Sequence, residues 1–102
     1  MKKNITKSKT IIYVVGDHGP EHNSIISIHR TKEGALNAFQ EHRKYLLESA
    51  KDSLERCKKR SDDEFMVEIY EREVKNLKEE DPEKIDNYPQ ETPYLHKKEL
   101  KD

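Results

Sequence analysis

The stretch from Thr31 to Asp81 limits what this chain can fold into more than any other. Apolar residues recur at three- and four-residue spacing through Ala35, Leu36, Ala38, Phe39, Leu46, Leu47, Ala50, Leu54 and Cys57. That period marks an amphipathic helix. Thr31 is a suitable N-cap, and Glu33 in the first turn suits the positive end of the helix dipole. A helix from Thr31 to Arg60 would be about 45 Å long. A six-residue strand spans only about 20 Å. A sheet made from the rest of the chain can therefore cover only the first half of this helix, around Leu36, Phe39 and Leu46. The second half, around Leu47, Leu54 and Cys57, needs another partner. Arg43 interrupts the apolar seam, which counts against a long coiled coil.

A second helix is the natural partner. Ser61-Asp62-Asp63-Glu64 has the capping-box pattern, with acids where a helix start favours them. Arg56, Lys58, Lys59 and Arg60 lie where a helix end favours cations. Both signals meet at Arg60-Ser61, which predicts a turn, with one continuous rod as the alternative. The second helix runs from Asp62 to about Glu80, with Phe65, Met66, Ile69, Tyr70, Val74 and Leu77 as its apolar stripe. Glu68→Arg72, Glu71→Lys75 and Glu55→Lys59 are i,i+4 pairs in the favourable order. Asp81-Pro82 ends the helix, because the residue before proline is pushed out of the α region.

Ahead of the helices, Thr10 to Val15 is a β-branched and aromatic run with apolar residues on both faces, as a central strand has. Gly16 to Asn23 is dense in turn residues and reads as a long hairpin tip. Ser24 to His29 reads as a second strand, with Ile26 and Ile28 on one face and Ile25, Ser27 and His29 on the other. Tyr94 to Leu100 reads as a short edge strand whose lysines blunt its exposed side. The expected fold is α+β: a small, three-stranded, mainly antiparallel sheet in the order β-β-α-α-β, with two long helices forming an αα-hairpin. Residues 1–9 read as a basic, flexible tail. Residues 10–102 make one domain, with a helical arm over about 43–80.

Charge adds a polarity to that arm. The formal net charge of the 102 residues is only −1. Yet residues 31–60 hold eight basic and five acidic residues, while 61–91 hold twelve acidic and four basic ones. Such segregation points to an oppositely charged partner or to pairing between the two segments. It does not favour nucleic acid, which wants a basic domain. With 31% hydrophobic and 40% charged residues the core must be thin. Self-association is one remedy and a small solvated monomer the other reading. A single cysteine, Cys57, excludes an internal disulfide. With no apolar leader and no membrane-spanning run, the expected location is the cytoplasm.

No constellation in the sequence specifies catalysis. Cys57 lies near basic residues, and His29, His42 and His96 are possible bases, but no spacing joins them into a nucleophile–base pair; a cysteine on the apolar side of a helix is usually core. Asp17, His18, Glu21 and His22 bring metal-donor types to the hairpin tip, yet without a recognised ligand spacing. They are equally the residues of an ordinary turn. Gly16-Asp17-His18-Gly19 follows a strand, but no Lys-Ser/Thr and no helix follow it, which rejects a phosphate loop. Tyr45, Tyr70, Tyr88 and Tyr94, with Phe65, suit either an interface or the sealing of a thin core. No cofactor is expected.

Tyr13-Val14-Val15, then Ile26-Ser27-Ile28, then Thr31-Lys32-Glu33-Gly34-Ala35 resembles small proteins of bacteriophages and low-GC bacteria. In these a "YVV" hairpin precedes a Thr-Lys-Glu-x-Ala helix and a late strand. The resemblance covers residues 10–42 and 94–100. It implies an accessory protein that binds and modulates a host protein such as an enzyme, a nuclease or an AAA+ chaperone complex. The expected working surface is the acidic return helix and the preceding turn: Phe65, Glu68, Tyr70, Glu71, Arg72, Glu73 and Arg60. The alternatives are a homo-oligomer, such as a homodimer, pairing through the arm, and a small-molecule or metal-binding regulator using residues 16–23.

Overall fold

The computed structural model describes residues 10–19, 22–60, 64–86 and 91–100. The expected tail at 1–9 lies outside them. Strand β1 (Thr10–Gly19) is the centre of a three-stranded sheet, flanked by β2 (His22–His29) and β3 (Thr92–Leu100). Both neighbours run antiparallel to it. Helices α1 (Lys32–Arg60) and α2 (Glu64–Leu77) lie between β2 and β3 in the chain. The result is the expected β-β-α-α-β fold.

The strands are longer than the sequence indicates. Asp17 pairs with Ser24, His18 with Asn23 and Gly19 with His22, so Gly16–Asn23 is not a long loop. The cause is a contact made by the far end of the chain. Tyr94 of β3 lies over Gly16 and donates its hydroxyl to Asn23 Oδ1 at 3.0 Å and to the Ser24 carbonyl at 3.2 Å. A Cβ on Gly16 would fall 2.5 Å from the Tyr94 oxygen, so only glycine fits. Opposite this glycine the register shifts, since Val15 pairs with Ser27 but Gly16 with Ile25. Ile26 is the extra residue of a β-bulge. It turns Ile25 to the same face as Ile28, where strict alternation would separate them. β3 starts at Thr92 and accommodates Pro93 because it is an edge strand.

Helix α1 starts as expected. Thr31 Oγ1 accepts the Gly34 amide at 3.1 Å. At 29 residues α1 is about 44 Å long and overruns the sheet. Its first half packs Ala35 and Phe39 on Val15, with Tyr13 and Leu95 beside them. Its middle packs Leu46 and Ala50 on Val74 and Leu77 of α2. Ile85, in the loop after α2, touches both clusters and joins them. The two helices fold back on one another, and the continuous rod is excluded. The capping-box residues Ser61, Asp62 and Asp63 lie outside the described residues. The molecule measures 70 × 24 × 19 Å. Among the described residues no helix is long and apolar enough to cross a membrane.

Helix α2 ends at Leu77, short of the expected Glu80. Arg43 explains this. It does not merely break the seam: its guanidinium is buried, donating through Nη1 to the Leu77 carbonyl and through Nε to Gln40 Oε1, each at 2.7 Å. Gln40 in turn donates to the Glu80 carbonyl at 2.7 Å. One turn of α1 thus caps the Leu77 carbonyl that the helix end leaves orphaned and holds the loop beyond it at Glu80.

Candidate functional site

The alternation of β1 divides the donor-rich group at the hairpin end. Asp17 faces α1, and His18 faces away from it. Asp17 is buried and accepts from two imidazoles: His42 Nε2 meets Oδ2 at 2.5 Å, and His22 Nε2 meets Oδ1 at 3.0 Å. His18 instead stacks on Tyr94, with ring centres 5.9 Å apart, and Tyr94 stacks on His96 at 4.5 Å. Asp17, His18 and His22 therefore do not converge, and Glu21 lies outside the described residues. Among the described residues no group of three or more His, Cys, Asp or Glu is placed to hold a metal ion. The loop reading of residues 16–23 is overturned, since most of that segment is paired strand. What Asp17 does is tie α1 to the hairpin. The sequence offers His42 only as a possible base for Cys57 and not as a partner of the hairpin end, although it lies three residues after Phe39 on the same helical face.

The arm carries the other candidate residues, and they fall on two faces. Phe65, near the start of α2, is 68% exposed. Glu68, Glu71 and Arg72 are exposed as well, as is Arg60 at the end of α1. Phe65, Glu68 and Arg72 recur at three and four residues and so share one outward stripe. Arg72 also lines a cleft of about 330 Å³ with Lys75, Asn76, Glu79, Lys84 and Asp86. Asn76 and Asp86 close one side of that cleft through reciprocal side chain–backbone hydrogen bonds, both 2.9 Å.

Glu73 is different. It is buried, as are Val74 and Leu77 on the same inward stripe. With Tyr70, Ser49, Ser53 and Glu91 it lines a notch of about 180 Å³ between the helices. Burial first, and the neighbouring Glu91 carboxylate second, push the Glu73 pKa up to about 7. Glu73 and half-buried Tyr70 therefore do not belong to the outward surface. The spacing Tyr70, Glu73, Val74, Leu77 carries this signal. Tyr45 is 68% exposed and stacks on His42, so it does not seal the helix pair. Tyr88 lies outside the described residues.

Cys57 is half-buried on α1. The three imidazoles weighed as its partners make their contacts in or beside the sheet: His29 with Ser27 Oγ at 2.7 Å, His42 with Asp17, and His96 with Tyr94.

Comparison with protein-family models, with curated proteins and with solved structures finds no match to this chain.

Proposed function

We propose that this chain is a non-enzymatic protein-interaction module that uses the outward face of its helical arm to bind a host protein and modulate it. The observation that carries the reading is Phe65: a large aromatic, 68% exposed, set beside Glu68 on the return helix, with Glu71 exposed one turn beyond Glu68. Exposed aromatics flanked by charge are typical anchors of interfaces. The acidic flank suits a partner surface that offers an apolar socket rimmed by lysine or arginine. An accessory role in a bacteriophage or low-GC bacterium is what the strand and helix motifs of residues 10–42 suggest. The class of host target stays as broad as that resemblance: an enzyme, a nuclease or a chaperone complex.

The reading is tested by affinity capture from a bacterial lysate with matched baits. A triple variant, Phe65→Ala with Glu68→Lys and Glu71→Lys, changes only exposed positions and leaves folding intact. A partner held by the native chain and released by this variant supports the assignment. A partner held equally by both places the working surface elsewhere.

A further inference from the structure

The inner side of the helix pair holds an acid that nothing compensates. Glu73 sits on the packed stripe of α2 with Val74 and Leu77, and only 9% of it is exposed. Among the described residues no group donates a hydrogen bond to its carboxylate and no cation pairs with it. The side chain lines the notch between the helices, and Glu91 brings a second carboxylate to the same notch. Burial first, and Glu91 second, disfavour the ionised form of Glu73. A desolvated acid without a donor costs stability, and a like charge beside it adds to the cost. Acids held in this way mark places where a ligand supplies the missing charge.

We propose that this notch binds a primary alkylammonium group, its charge held by Glu73 and Glu91 and its carbon stem lying on Leu46 and Ala50. An ammonium has three N–H donors and no acceptor. The two carboxylates accept from it, as do the hydroxyls of Ser49 and Ser53, one turn apart on α1, and of Tyr70 on α2. Leu46 and Ala50 give the notch an aliphatic wall, along which an alkyl stem lies while its charged head stays on the polar groups. The same lining suits a divalent metal poorly. Calcium and magnesium take their ligands from carboxylates, carbonyls and water, and here three of the five polar groups are hydroxyls. Size agrees as well: at roughly 30 Å³ for each water-sized group, a notch of about 180 Å³ holds about six such groups, as in a short alkylamine. The site faces inward and is separate from the outward stripe of α2, so it does not depend on a protein partner there.

The test is an amide NMR titration of the full chain with butylamine at pH 6 and pH 8, with butan-1-ol and calcium chloride as comparison probes. Butylamine is charged at both pH values. The expected result at pH 8 is saturable binding with a Kd of about 1 mM or tighter. The shifts should centre on Ser49, Ser53, Tyr70 and Glu73. Binding should be about tenfold weaker at pH 6, because a carboxyl with a pKa of about 7 is then mostly protonated. Glu73→Gln should abolish saturable binding while keeping the fold, which circular dichroism verifies. Glu91→Gln, at an exposed position, should weaken binding, and Glu83→Gln, an exposed acid outside the notch, should leave it unchanged. No saturation by about 50 mM at pH 8 overturns the proposal. So does equal affinity for butan-1-ol, binding that persists in Glu73→Gln, or calcium that occupies the notch more tightly than butylamine.

Discussion

His42 of α1 donates to Asp17 of β1 across 2.5 Å, and this one bond fastens the long helix to the end of the central strand. The carboxylate is shared with His22, so hairpin, central strand and helix meet at a single buried acid. Removing the carboxylate leaves the His42 nitrogen, whose side chain is only 14% exposed, without its acceptor. Such a loss costs about 1–3 kcal/mol. Asp17→Ala should therefore lower the urea midpoint clearly, and His42→Ala by a comparable amount. The double variant should cost less than the sum, because both act on one bond.

Arg43 gives a second expectation. Its guanidinium holds the Leu77 carbonyl at the end of α2. Arg43→Met keeps much of the apolar stem but removes the donors. The expected cost is about 2 kcal/mol, with exchange at the end of α2 accelerated more than in β1. Uniform acceleration across the domain would contradict a local capping role.

Gly16 is a steric requirement. A methyl group there meets the Tyr94 ring and the Ser24 backbone. Gly16→Ala should destabilise by about 3 kcal/mol, at the upper end of overpacking costs. Pairing it with Tyr94→Ala should recover part of the loss, while removing the hydroxyl's bonds to Asn23 and Ser24. Denaturant midpoints of the three variants decide this.

Glu73 makes stability depend on pH in a direction unusual for a carboxylate. Its pKa is about 7 in the folded chain against 4.5 ordinarily, so between those values the folded state binds more protons than the unfolded. Stability from this group is therefore complete below pH 4.5 and lost as pH rises through 7. The groups facing it are Glu91, Tyr70, Ser49 and Ser53, none of them a cation at neutral pH. The notch opens to solvent, which screens part of the penalty, leaving about 1–2 kcal/mol. Glu73→Gln should thus stabilise the protein at pH 8 by that amount and have little effect at pH 4. An equal effect at both pH values would refute the linkage.

The parts of this fold that were legible in the sequence rest on local pattern. The three- and four-residue period marked both helices, Thr31 marked the start of α1, and the β-branched run at Thr10–Val15 marked the central strand. The length mismatch between helix and strand foretold the arm. What escaped rests on polar side chains at apolar positions. Arg43, His42 and Glu73 each sit on an inward helical face, and the sequence alone does not say which buried polar group finds a partner. The extended hairpin escaped for another reason. Its turn-like residues are held as strands by Tyr94, more than seventy positions away, and no local window contains that contact. Of the residues named for the working surface, Phe65, Glu68, Glu71 and Arg72 are exposed, while Glu73 is buried.

The most direct test of the account is site-specific photocrosslinking in a bacterial lysate, with the crosslinker placed in turn at positions 65, 68 and 98. Position 65 lies on the arm at an aromatic that is 68% exposed, position 68 follows on the same stripe, and position 98 lies on the guarded sheet edge. The account predicts one discrete adduct at 65 and 68, absent at 98 and competed away by the unmodified chain. Equal labelling at all three positions, or an adduct at 98 alone, would contradict it.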